Sequence, residues 1–219
     1  MRKLLLAFGM AALMAATAFA QGRQEDLEKV LTLLDKSSVG FKTLKADFEW
    51  DQFQMVVSEH ERDNGLMYFK RSGGSVDVGA DIQTRGREKK MVLKDGALQI
   101  LQRKTGQVTS YDTRKKRESF ESFLALGFGA RGHDLPKNFE VRYAGVENAA
   151  GVQSYKLELT PKSAQVRQMF PKITLWIDPR TGMSVQQKLD QGEGDYRIAV
   201  YHHIEVNAAL PGDAFSLKK

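Results

Sequence analysis

Two hydrophobic periods divide the chain. From Gln24 to Ser38 the apolar residues Leu27, Val30, Leu31 and Leu34 stand at i, i+3, i+4 and i+7. That spacing puts them on one face of an amphipathic helix, and Gly40 follows where a helix end favours glycine. Beyond it the period becomes two. Leu44, Ala46, Phe48 and Trp50 alternate with polar residues, and the apolar phase then shifts to Phe53, Met55 and Val57. A phase shift inside an extended run predicts a bulge near Asp51-Gln52.

The alternation continues with few interruptions. Asp63-Asn64-Gly65 reads as a turn, with a strand from Leu66 to Arg71. Val76, Val78, Ala80 and Ile82 share a strand face. Lys89–Leu93 and Ala97–Leu101 flank Asp95-Gly96, a hairpin signature. Strands are also predicted at Val108–Tyr111, at Phe139–Tyr143, at Tyr155–Leu159, at Ile173–Ile177 and at Met183–Leu189. A last strand covers Tyr196–Val206, with Tyr196, Ile198, Val200, His202, Ile204 and Val206 on one face. Only Lys116–Phe128 breaks the pattern: Phe120, Phe123 and Leu124 have helical spacing, and Gly127, Gly129 and Gly132 follow. The result is about ten or eleven strands in near-sequential hairpins, with one helix ahead of them and one among them. Such a meander closes into a barrel or curls around something. No linker composition divides it, so one domain is expected.

The first twenty residues stand apart. Arg2 and Lys3 precede an uncharged apolar run from Leu4 to Ala16, and Ala18-Phe19-Ala20 offers small residues at the cleavage positions. This is the pattern of a secretory signal cut after Ala20, and the run is shorter than the about 20 residues of a spanning helix. The mature chain would run from Gln21 to Lys219, as one periplasmic domain. Its charge, without Arg2 and Lys3, is 31 basic against 27 acidic residues, too even for a nucleic-acid partner. The densest basic cluster, Arg114-Lys115-Lys116-Arg117, reads as a solvated loop or as a docking patch for an acidic partner or anionic lipid heads.

Chemistry is sparse. The absence of cysteine rules out disulfides, thiolate metal sites, a cysteine nucleophile and an N-terminal lipid anchor. There is no Gly-x-Ser-x-Gly elbow and no glycine-rich phosphate loop. His202 and His203 are adjacent on a strand, so they point apart and cannot chelate one ion; His202, on the apolar face, reads as a hydrogen-bonded core residue. His60 lies in a charged run, and Asp77 with Asp81 reads as structural. No catalytic residues, metal or cofactor are expected.

Several segments resemble the periplasmic lipoprotein carriers of double-membraned bacteria, the lipoprotein-sorting family. They are Phe123–Gly129 with Leu135–Val141, Tyr155–Lys162 (YKLELTPK), Ile173–Gly182 (ITLWIDPRTG) and Leu210–Leu217 (LPGDAFSL). The resemblance implies an incomplete antiparallel β-barrel with a helical lid, enclosing a cavity for acyl chains. Cargo would be lipidated proteins, received from an inner-membrane lipoprotein-releasing transporter and passed to an outer-membrane lipoprotein receptor. The carrier itself is expected to be a monomer. A periplasmic regulator that senses lipid with the same half-barrel is the alternative reading.

The resemblance also directs attention to particular residues. Phe48, Trp50, Met67, Phe69, Val78, Leu98, Ile100, Phe120, Phe123 and Leu124 are expected to line the cavity. Residues Phe120–Phe128 are expected to form the lid helix, with Gly127, Gly129 and Gly132 as its hinge. Lys70-Arg71 matches the family's lysine-arginine pair, which implies that Arg71 latches the lid. The proline that often follows in the family is replaced here by Ser72-Gly73-Gly74.

Overall fold

The computed structural model describes residues 24–73, 75–114 and 125–217. The leader, with its cleavage site, and the Phe120, Phe123 and Leu124 positions lie outside them.

Residues 24–38 form the first helix, α1. Eleven strands follow: β1 (Thr43–Gln54), β2 (Glu59–Ser72), β3 (Ser75–Ile82), β4 (Lys89–Lys94), β5 (Ala97–Gln102), β6 (Val108–Asp112), β7 (Phe139–Ala149), β8 (Val152–Pro161), β9 (Lys172–Ile177), β10 (Ser184–Gly192) and β11 (Asp195–Val206). Among the described residues two short helices interrupt them, α2 (Leu135–Asn138), preceded by a 3-10 turn at Gly132–Asp134, and α3 (Ala164–Met169). The strands make one antiparallel sheet in the order β6-β5-β4-β3-β2-β1-β11-β10-β9-β8-β7. Every neighbour pair is a hairpin in sequence except β1 with β11. Among the described residues β6 and β7 are free edges, so the sheet is an open half-barrel. Residues 125–138, the crossing segment, lie over the inner face and lead into β7, with Phe128 packed on one half of the sheet and Leu126 and Leu135 on the other.

The hairpin at Asp95-Gly96 forms as expected, both residues at positive φ (51° and 73°) as a type I′ turn requires. Other expectations fail for identifiable reasons. Asp63-Asn64-Gly65 is no turn but the middle of β2, which pairs β1 without a break from Thr43↔Lys70 to Gln54↔Glu59. Glycine is needed at position 65 because a Cβ there would sit 2.0 Å from the Asp81 carbonyl oxygen of β3. The reversal instead lies at Met55–Ser58, with Ser58 at φ 53°. Met55 and Val57 are therefore exposed turn residues rather than strand positions.

The bulge near Asp51-Gln52 is likewise absent. The register of β1 slips between Lys45 and Asp47, where His203 and Ile204 of β11 oppose Ala46. His203 carries the irregularity at φ 48°. This bulge, and the pairing Phe48↔Tyr201, Trp50↔Ala199 and Gln52↔Arg197, reverse the expected face of β11. Arg197, Ala199 and Tyr201 point inward. Tyr196 lies on the outer face, stacked on Phe53. His202 is not a core residue: it is part-exposed, 3.9 Å from Glu49.

The inner face divides in two. On β7 to β10, α1 fills the trough. Val30, Leu31 and Leu34 pack on Leu157, Leu159, Ile173, Leu175 and Ile177, and fully burying each such side chain contributes about 1.5–3 kcal/mol. On β1 to β5 and β11 the inner residues, among them Phe48, Met67, Phe69 and Ala80, form a second cluster that Phe128 closes from above. This half is not filled.

Candidate functional site

Between the second cluster and the crossing segment lies a cavity of about 310 Å³. Strand alternation builds its wall: Trp50 on β1, Met67 and Phe69 on β2, Val78 and Ala80 on β3, Met91 and Leu93 on β4, and Leu98 on β5 occupy one face in register. Leu189 of β10, with Ala199 and Tyr201 of β11, completes the curve, while Phe128 and Phe170 close it from the open side. Three polar groups interrupt the apolar lining: Gln187, Arg197 and Tyr201.

Of the expected lining residues, Trp50, Met67, Phe69, Val78 and Leu98 border the cavity. Phe48 sits on the same face but is wholly buried against the Trp50 ring, 4.3 Å between centroids. Ile100 also shares that face, paired across from Met91, beyond the cavity toward the free edge. Sequence reasoning missed Met91, Leu93, Leu189, Ala199 and Tyr201. Met91 and Leu93 share a strand face, but Val92 between them is apolar too, so the sequence alone does not choose the inner face.

The crossing segment is seated by specific contacts. Ala125–Gly129 is a turn, closed by the Phe128 amide donating to the Ala125 carbonyl at 3.0 Å. The described end of the expected lid helix is thus not helical. Arg71 donates from its guanidinium to the Gly129 carbonyl at 2.5 Å and lies over the Phe41 ring at 5.8 Å. Burial pushes its pKa below the ordinary arginine value, yet it stays charged at any physiological pH. Gln187 holds the same turn, donating to the Leu126 carbonyl at 2.7 Å, and accepts from the Tyr201 hydroxyl at 3.3 Å. Burial also raises the Tyr201 pKa, the Arg197 charge opposing it, so the phenol remains a donor.

The three glycines of this segment fit tightly. A Cβ on Gly127 would meet Ser184, one on Gly129 the Phe41 ring, and one on Gly132 the Leu31 carbonyl at 2.1 Å. Gly127 and Gly129 also have φ of 77° and 68°, where side chains are strained. What glycine supplies in this conformation is close approach to α1 and the sheet. Next to it His133 bridges Asp35 (2.5 Å) and Glu28 (2.9 Å) on α1. Its pKa is raised, by the hydrogen bond to Asp35 first and then by that to Glu28. Among the described residues no group of three or more His, Asp or Glu side chains is placed to hold a metal ion, and no helix is long and apolar enough to cross a membrane.

Fold and site together define a class: an open antiparallel half-barrel that curls around an apolar cavity and is covered by the segment 125–138 that leads into β7. No family model matches the chain, and no curated protein sequence matches it. Solved structures do. The chain aligns with the MucA/MucB complex of Pseudomonas aeruginosa at TM-score 0.54 and 17% identity, over 88% of this chain and 61% of that one. It aligns with the lipoprotein LppX of Mycobacterium tuberculosis at TM-score 0.53 and 10% identity, over 85% and 98%. LprF of Mycobacterium bovis matches at TM-score 0.50 and 13% identity, over 87% and 98%. The protein therefore shares the open half-barrel fold of MucB, LppX and LprF. At these identities the likeness defines architecture.

Proposed function

We propose that this protein is an exported periplasmic carrier that takes acyl chains of lipoproteins into the cavity and ferries them from the inner to the outer membrane. The observation that carries the reading is the cavity itself. A 310 Å³ apolar space stays unfilled in a domain whose other half is packed by α1. Protein interiors ordinarily leave few voids larger than a water molecule, so a space of this size needs an occupant. Each methylene moved from water into it contributes about 0.8 kcal/mol.

The latch follows from the same geometry. Arg71 and Gln187 hold the turn over the cavity by backbone carbonyls, and a charged hydrogen bond contributes about 1.5–3 kcal/mol. That is small beside the burial of an acyl chain, so cargo can displace the segment and its release can restore it. Gly127, Gly129 and Gly132 are the places where that displacement would begin. A transporter in the inner membrane would load the carrier and a receptor at the outer membrane unload it.

The fold shared with MucB of the MucA/MucB complex favours a second reading, a lipid-sensing regulator bound to a protein partner. Mass spectrometry of the protein isolated from its own periplasm without detergent separates the two. Copurified lipoprotein supports the carrier; free lipid without lipoprotein supports the sensor.

A further inference from the structure

Arg197 is out of place in an apolar wall. It sits on the inner face of β11 and borders the cavity beside Trp50, 5.5 Å from that ring. Its Nε donates to the Gln52 side-chain oxygen at 2.9 Å, and Gln52 is itself held by Gln191 at 2.6 Å. Among the described residues the terminal nitrogens of the guanidinium have no hydrogen-bond partner, so its strongest donors are unused.

The nearby acids do not answer this charge. Glu61 is paired with Arg87 at 2.8 Å, and Asp63 with Arg87 at 3.1 Å and Lys89 at 3.5 Å. Two carboxylates thus meet two other cations, and Arg197 is the third cation at this end of the trough. Burial pushes its pKa down, with Asp63 and then Glu61 acting the other way. A cation taken partly out of water with no carboxylate in contact, only the fields of two acids already paired elsewhere, is costly, and packing alone does not call for one. A leucine or methionine would complete this wall.

We infer that Arg197 and Gln52 form a headgroup site for an amphiphile with one alkyl chain and an anionic head, the chain lying in the cavity and the head on the guanidinium. The size agrees. Arg197 and Tyr201, at the two ends of the cavity wall on β11, are four residues and so about 13 Å apart. A volume of about 310 Å³ is at the small end of the ~300–1,000 Å³ range of ligand sites, which suits one chain. Carboxylate and phosphate heads both match a guanidinium fork, so a fatty acid and a monoacyl phospholipid share the chemistry. This inference rests on the cavity being a lipid site, as the carrier reading has it.

The test is displacement of the neutral dye N-phenyl-1-naphthylamine by dodecanol, laurate and dodecyl phosphate. The protein should bind laurate, dodecyl phosphate or both about ten- to a hundredfold more tightly than dodecanol, the range expected of charged hydrogen bonds. Whichever anion shows the preference identifies the head. Arg197→Gln should abolish the preference, bringing laurate and dodecyl phosphate to the affinity of dodecanol, while Arg197→Lys should keep part of it. If the wild-type protein binds all three equally, the headgroup site is refuted and the cavity reading stands, with no variant needed. If the dye itself does not bind, the cavity reading fails, and this inference with it.

Discussion

Arg71 shows how far single residues could be read. Its place on an inner strand face followed from alternation with Met67 and Phe69, and the register puts it there. Its partner, the Gly129 carbonyl 58 residues away, had no local signal. Arg71→Leu should speed amide exchange over residues 125–132 by about ten- to a hundredfold, from the roughly 1.5–3 kcal/mol of a charged hydrogen bond, and leave exchange in β8 and β9 unchanged. Exchange mass spectrometry reads both, and unchanged rates over 125–132 would remove Arg71 as the latch. Arg197 was not legible at all. Both faces of its strand carry apolar residues, Tyr196, Ile198 and Val200 on one and Ala199 and Tyr201 on the other. Only the pairing with β1 decides which is inside. His202 was misplaced for the same reason. Gly65 misled differently: Asn-Gly is sound turn chemistry, but a glycine needed for close approach of β3 looks identical in sequence.

At the scale of elements, strong periodicity gave reliable results. The helix at residues 24–38 and the β4–β5 hairpin appear where the pattern puts them. α3 was missed, because six residues with none buried carry no period. Its only cue is Ser163, whose hydroxyl caps the helix by accepting from the Val166 amide. The junction of α1 with the crossing segment is pH-sensitive. His133 has a raised pKa through Asp35 and Glu28, so the charged imidazolium stabilises the folded state. That contribution is fully present below the unfolded value of about 6.5, and it is lost as pH rises through the higher folded value. Amide exchange at Gly132–Asp134, corrected for the intrinsic effect of pH, should therefore be slower at pH 6 than at pH 9. His133→Gln should remove most of that difference. An unchanged pH response in the variant would exclude the histidine as its source. The effect should be modest, because the side chain is part-exposed and screened.

For the whole molecule, the meander was legible and its curvature was not. Counting alternating runs yields ten or eleven strands, but that β1 and β11 join first to last, leaving β6 and β7 as free edges, is a long-range outcome. That arrangement leaves an open inner face, over which residues 125–138 lie, and a cavity survives where α1 does not reach. The account is tested most directly by lipoprotein release. Spheroplasts of the source bacterium, labelled in their lipoproteins, are incubated with the purified chain from Gln21 to Lys219. The account predicts that acylated lipoprotein appears in the supernatant in a complex with the protein, and that bulky substitution of the cavity wall, Ala80→Trp, reduces the yield severalfold. Release no greater than with serum albumin, or release indifferent to the filled cavity, would contradict it.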